Sequence, residues 1–265
     1  MSDNNTLVCA RDLTKVYRTG DVEVHALRGV TLDVHAGEFL AIVGPSGSGK
    51  TTLLNLAGAL DSVTAGGLTV LGRDLTKLGR RARAELRLRS LGFVFQAYNL
   101  VPVLTARENV EFVLELQGVG RDRRARSTEV IEELGLDELA DRRPLEMSGG
   151  QQQRVAVARA VASRPKLVLA DEPTANLDGE NAEILMTMMR RLRDEQGMTF
   201  IFSTHDPRVV AYASRVVTLT DGRVSADKRR NADKRRNTDK RRNADKRRNA
   251  DERRNPKAPD TQGAS

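Results

Sequence analysis

The residues best suited to chemistry fall in a few short stretches of the 265-residue chain. "GPSGSGKTTLLNLAG", Gly44 to Gly58, follows the apolar run "FLAIV" and fits the spacing G-x-x-x-x-G-K-[ST] with Gly44, Gly49, Lys50 and Thr51. Such a loop, built here from Gly44, Pro45, Ser46, Gly47, Ser48 and Gly49, turns backbone N–H groups toward phosphate oxygens at a helix N-terminus, where the helix dipole also favours negative charge. Lys50 adds a point charge for the β- and γ-phosphates, and Thr51, followed by Thr52, can offer a hydroxyl to Mg2+. The implied ligand is a nucleoside triphosphate. Binding alone does not cleave it, and "KLVLADEPTANLD", Lys166 to Asp178, supplies what hydrolysis needs. There an apolar strand ends in two carboxylates: Asp171, placed to hold the Mg2+ shell, and Glu172, placed to orient or deprotonate an attacking water.

A third stretch, "EMSGGQQQRVAVARAVA" from Glu146 to Ala162, reads as a Ser-Gly-Gly turn opening an amphipathic helix with Val155, Ala158, Val161 and Ala162 on one side. Ser148 and the free amides of Gly149 and Gly150 form a second anion-seeking helix start. One nucleotide rarely needs two such ends from the same subunit.

These groups require a scaffold. Apolar strands are expected at Phe39–Val43, Phe93–Gln96, Leu167–Ala170, Phe200–Ser203 and Val216–Leu219, alternating with helical stretches, which predicts an α/β fold with a parallel sheet covered on both faces. The candidate groups then lie at strand C-termini, where open α/β sheets bind ligands. Residues 7–38 alternate as an antiparallel β region, with Cys9 a small core residue. Residues 97–145 read as helical, with "TARE" at Thr105–Glu108 a capping box ahead of Val110, Val113 and Leu114. His25 and His35 read as structural.

With these motifs together, the sequence closely resembles the ATP-binding cassette (ABC) ATPases over residues 7–224. The family signature L-S-G-G-Q appears as Met147, Ser148, Gly149, Gly150 and Gln151. The resemblance implies a P-loop NTPase with a RecA-like core, an N-terminal antiparallel β subdomain and an inserted helical subdomain at about 97–150, within an ATPase domain of residues 1–225. It implies ATP and Mg2+ as ligands, and head-to-tail dimers in which each ATP lies between the phosphate loop of one copy and the signature of the other. Residue by residue, Tyr17 matches the aromatic that stacks on adenine, Gln96 the glutamine that senses Mg2+ and the attacking water, His205 the switch histidine at the γ-phosphate, and Asp178 the loop that crosses the dimer interface. The run "LGFVFQAYNLVPVLTARENV" is most similar to cassettes of macrolide exporters and lipoprotein-releasing complexes, a group that also includes the cell-division cassette. That similarity implies a homodimer driving a four-span membrane permease, on hydrophobic or amphiphilic cargo, from the cytoplasmic face of the membrane. Its segment "AYNLVPVLTARENV" would face the permease.

Composition limits the alternatives. A single cysteine excludes an intrachain disulfide, no apolar run reaches the ~18 residues of a membrane helix, and the N-terminus lacks the profile of a secretory signal. The net charge of +8 belongs to the end of the chain: from Ala226 onward there are 15 Lys/Arg and 7 Asp/Glu, leaving 29 of each before it. That end is a tandem array of "ADKRRN"-type hexapeptides over Ala226–Asn255, followed by a flexible terminus at 256–265. A period of six never builds an apolar stripe on a helix, so the array reads as a solvated chain or a lone helix with pairs such as Asp227–Arg230 and Arg229–Asp233. Its basicity allows contact with anionic lipid. It is also the sole support for an ABC ATPase that acts on nucleic acid or ribosomes, a reading disfavoured by the single cassette and by the lack of sustained heptads between Lys50 and Ser148.

Overall fold

The computed structural model describes residues 5–230. The strands β1 (Thr6–Thr19), β2 (Val22–His35), β4 (Ala65–Val70) and β5 (Arg73–Asp74) form an antiparallel sheet in the order β2-β1-β4-β5. The second sheet has the order β10-β9-β3-β8-β7-β6, from β3 (Phe39–Val43), β6 (Leu91–Val94), β7 (Leu167–Asp171), β8 (Thr199–Ser203), β9 (Arg215–Thr220) and β10 (Arg223–Arg229). Its first five strands in sequence are parallel to one another, as the apolar runs predict, and β10 adds an antiparallel edge that they do not.

Both faces of the sheet are buried at its central strands β3, β7 and β8, which is why these read as continuous apolar runs. Along β3 the side chains divide by parity. Leu40 and Ile42 join a core with the antiparallel sheet and α1 (Lys50–Ala57). Phe39 and Ala41 join a second core with α3 (Ala106–Leu116), α4 (Arg123–Glu133), α5 (Gly149–Val161) and α6 (Gly179–Gln196). Phe39 lies 5.5 Å from Phe200 and 4.9 Å from Phe202 between ring centroids, inside that second core. The predicted stripe Val155, Ala158, Val161, Ala162 is fully buried there.

Several expectations change. The helical stretch at 97–145 resolves into α3 and α4 separated by turns, and the Thr105–Glu108 capping box forms as expected. The arginine-rich α2 (Arg80–Ser90) was not anticipated, because only Leu86 in it is buried and no apolar stripe marks it. Cys9 is not in the core: alternation turns Val8 and Ala10 inward and leaves Cys9 half-buried on the opposite face beside Asp33. The hexapeptide array does not begin outside the folded body. Its first copy extends β10 through Arg229, where Arg215 makes a bidentate pair with Asp227 at 2.8 and 2.6 Å and Arg229 approaches Glu38 at 3.3 Å. The remaining copies and the terminus at 256–265 lie outside the described residues. Among the described residues no helix is long and apolar enough to cross a membrane.

Candidate functional site

The loop between β3 and α1 is shaped by close approach. Gly44 has φ +151° and a Cβ there would lie 2.1 Å from the carbonyl oxygen of Leu219 in β9. Gly49 has φ +100°, and its Cβ would lie 2.5 Å from the Ala26 carbonyl. Between them Pro45, Ser46, Gly47 and Ser48 arch over the start of α1, where Gly49 is the N-cap and no side chain caps the helix. The first amides of α1, at Lys50, Thr51 and Thr52, therefore have no intrahelical partner. Lys50 Nζ reaches back over the same loop and donates to the carbonyls of Gly44 and Pro45 at 2.9 and 3.1 Å. An ammonium, a set of free amides and a helix N-terminus converge, which fits a polyphosphate.

At the C-terminal end of the neighbouring strands, Thr51 Oγ1 donates to Asp171 Oδ1 at 3.2 Å, although 120 residues separate them. Two hard oxygen donors meeting beside the phosphate cradle suit Mg2+, which takes few protein ligands and completes its shell with phosphate and water. Ser203, the last residue of β8, was missed by sequence reasoning. Its hydroxyl donates to Asp171 Oδ1 at 2.6 Å and accepts the Glu172 amide at 2.9 Å, fixing both carboxylate-bearing residues at once. Its signal was a lone hydroxyl closing an apolar strand just before His205. Glu172 has φ +47°, a left-handed conformation that costs a non-glycine residue about 1–3 kcal/mol and is kept where the surroundings enforce it. Both Glu172 carboxylate oxygens lie 3.1 Å from His205 Nδ1.

Gln96 was expected to end its strand. β6 instead stops at Val94, and Gln96 sits exposed in the following turn, its carbonyl accepting from Asn176 Nδ2 at 3.1 Å. Because β6 lies parallel to β7 with Val94 opposite Ala170, this turn emerges at the same end of the sheet as Asp171 and Glu172.

Tyr17 lies near the end of β1, opposite Val24, and is 38% exposed. Its hydroxyl donates to Asp61 Oδ2 at 2.8 Å, while Lys15 Nζ sits 4.7 Å from its ring centroid and donates to Asp61 Oδ1 at 2.7 Å. Burial and the Asp61 carboxylate raise the tyrosine pKa, so the hydroxyl stays a donor. Burial alone would raise the Asp61 pKa, but Lys15, the Ser62 amide and Tyr17 together pull it below the usual carboxylate range.

The second helix start is built differently. Ser148 caps α5, accepting from the Gln151 amide at 3.3 Å, while Gln151 Oε1 accepts from the Ser148 amide at 2.9 Å. Gly150 packs against α6 so closely that a Cβ would lie 2.6 Å from Asn181 Oδ1, and Asp178 caps α6 by accepting from the Asn181 amide at 2.8 Å. Among the described residues no hydrogen bond or ion pair joins Ser148–Gln151 to the loop at Gly44–Thr52.

The sequence profile of the family described as ABC transporter matches residues 27–175, more than half of the chain. The chain belongs to the ABC transporter family. An uncharacterized ABC transporter ATP-binding protein of Thermotoga maritima is 46% identical to this cassette over 214 residues, 80% of this chain and 91% of that protein. The macrolide export ATP-binding/permease protein MacB of Escherichia coli strain K12 is 45% identical over 215 residues, 81% of this chain and 33% of MacB. The cassette thus spans about a third of the length of the macrolide exporters it matches. Among solved structures, the ATP-binding cassette MJ0796, a dimer in a post-hydrolysis state bound to ADP and Pi, superposes with a TM-score of 0.78 at 39% identity, covering 84% of this chain and 98% of the other. The P-loop α/β fold expected from the sequence is the one observed.

Proposed function

We propose that this cassette binds and hydrolyses ATP as the motor subunit of a transporter, dimerising around two nucleotides to drive a membrane permease. The observation that carries the reading is the cluster at the strand ends, where Thr51, Asp171, Ser203, Glu172 and His205 are joined by contacts of 2.6–3.2 Å beside an uncapped helix start. Gly44–Gly49, Lys50, Thr51 and Thr52 hold the phosphates, and Tyr17 offers its ring to the adenine. Thr51 and Asp171, with Gln96, would hold Mg2+, which neutralises charge on the β- and γ-phosphates when bound.

Glu172 accepts a proton from water as the water oxygen bonds to the γ-phosphorus and the bond to the bridging β–γ oxygen breaks, leaving ADP and phosphate. His205, within hydrogen-bond distance of both Glu172 oxygens, holds that carboxylate in line and sits beside the γ-phosphate. Gln96 orients the water from the adjacent turn. Ser148, Gly149, Gly150 and Gln151 act in trans on the partner copy's nucleotide, with Asp178 at the shared interface. The fully bonded Asp178 and Ser148 caps support this, since each helix end is already formed before a partner arrives.

The likeness to macrolide exporters supports a permease of the four-span type and hydrophobic or amphiphilic cargo, with the cassette on the cytoplasmic face. The turn after Gln96 gives the permease an apolar foothold, with Val103 72% exposed. Contact of the hexapeptide array with anionic lipid remains part of the proposal.

Glu172→Gln tests the core of this reading. It should abolish phosphate release while Mg-ATP converts the variant to a dimer on size-exclusion chromatography with light scattering; robust turnover in that variant would remove Glu172 from its role.

A further inference from the structure

We infer that Arg159 of α5 is a positioning residue for Gln96, locking the turn that carries it to the helix that starts at Ser148. The inference rests on the reading of Gln96 as a residue that orients water and Mg2+. The turn is conformationally costly: Tyr98 and Asn99 are successive non-glycine residues at φ +58° and +52°. Its own backbone supplies two hydrogen bonds, Tyr98 amide to Phe95 carbonyl at 3.2 Å and Asn99 amide to Ala97 carbonyl at 2.5 Å. The carbonyls of Tyr98 and Asn99 point elsewhere and are both taken by one guanidinium, Arg159 Nη2 donating to Tyr98 at 2.9 Å and Nη1 to Asn99.

Arg159 is held in an unusual way. Among the described residues no carboxylate pairs with it, and burial lowers its pKa from the ordinary arginine value. A half-buried guanidinium without an anion carries part of the cost of leaving water, and two backbone carbonyls replace some of its solvent. Its planar fork can span two successive carbonyls, which a lysine ammonium cannot do with the same geometry.

The same helix grips the other half of the site. Gln153, fully buried, donates to the carbonyl of Pro173 at 2.7 Å, the residue that follows Glu172. At the helix start, a Cβ on Gly149 would lie 2.7 Å from the Tyr98 hydroxyl, so the turn also rests on the signature backbone. α5 therefore touches the Gln96 turn at both its first residue and its last full turn.

The test uses the full chain with Arg159→Met, Arg159→Lys, Gln96→Ala and the Arg159→Met/Gln96→Ala pair, measuring steady-state ATPase, Mg2+ titration, binding of a fluorescent ATP analogue and thermal unfolding. Arg159→Met should lower kcat by about tenfold and raise the Mg2+ needed for half-maximal rate, with nucleotide Kd unchanged to within about twofold. Arg159→Lys should recover part of kcat, and the double variant should be no slower than Gln96→Ala alone. Wild-type kcat in Arg159→Met, or losses that multiply in the double variant, would overturn the inference while leaving the Gln96 reading intact. Wild-type kcat in Gln96→Ala would overturn that reading and this inference with it. If Arg159→Met does not fold, Arg159→Lys decides: reduced kcat at unchanged Kd supports the lock, and wild-type kcat refutes it.

Discussion

The starts of α1 and α5 both lie in short stretches rich in serine and glycine, yet the chain finishes one and leaves the other open. At α5 the Ser148–Gln151 capping box uses donors and acceptors of the first turn internally. At α1 the N-cap is Gly49 in a left-handed conformation, no side chain caps the helix, and Lys50 is bent back over the loop. An uncapped end has its amides free for phosphate in the monomer. A self-capped end is a stable surface that offers the Ser148 hydroxyl and the outer amides to a group arriving from outside. On the proposed function, similar local sequence yields a resident binding site in one place and a docking surface in the other, as two-fold assembly with each nucleotide between unlike patches would require.

The strongest way to break that comparison is Gly49→Ala. The added Cβ meets the Ala26 carbonyl and a φ of +100°, so the loop must shift away from its cradle geometry. Binding of a fluorescent ATP analogue should weaken by more than about a hundredfold, with stability lowered by about 2 kcal/mol or more in urea titrations. Retained affinity would mean that the cradle is not set by backbone shape. Ser148→Ala should act oppositely. It removes a cap contributing about 1 kcal/mol, leaves monomer nucleotide affinity unchanged, and lowers turnover by about a hundredfold by weakening the ATP-dependent dimer. Equal damage to nucleotide binding in the monomer would erase the distinction between the two ends.

Much of this was legible in the sequence because the informative signals are local. A glycine spacing specifies a cradle, an apolar run ending in Asp171 and Glu172 specifies a strand and its chemistry, and Thr105 followed by Glu108 specifies a helix start that the structure forms. What escaped depends on distant partners. Ser203 acquires meaning only when β8 lies beside β7, and α2 is held by arginines bonding to carbonyls such as Ala59, with no periodic stripe to mark it. The hexapeptide reading failed at its first copy for a related reason. A repeat period forbids an amphipathic helix but says nothing about a strand edge, where Asp227 needs only the buried Arg215 across the hairpin.

A smaller effect sharpens the open end of the comparison. Asp61 lies just beyond α1 and ties Lys15, which is almost fully buried, to the Tyr17 hydroxyl. Asp61→Asn leaves that ammonium without its anion, lowering stability by about 2 kcal/mol. It also frees the ring, so affinity for ATP should fall about fivefold, a loss of the order of one base-stacking contact, while affinity for inorganic triphosphate stays constant. Parallel losses for both ligands would place the effect in the loop and not in the base platform.

The smallest effect is expected far from both helix ends, where β10 closes the edge of the sheet. The Arg215 fork holds the Asp227 carboxyl below the usual carboxylate range, and Asp227 is partly exposed, so solvent discounts the pair to under about 1 kcal/mol. A depressed carboxylate pKa contributes stability that is present above the unfolded value of about 3.9 and is lost as pH falls through the lower folded value. Urea titrations should therefore find wild type more stable than Asp227→Asn at pH 7, with the gap closing below about pH 4, and with turnover at pH 7 the same in both. A gap that persisted at the lowest pH would assign the effect to packing of the hairpin. A change in turnover would mean that the edge strand communicates with the strand ends, and the contrast drawn between the two helix starts would then have to include the chain beyond Arg215.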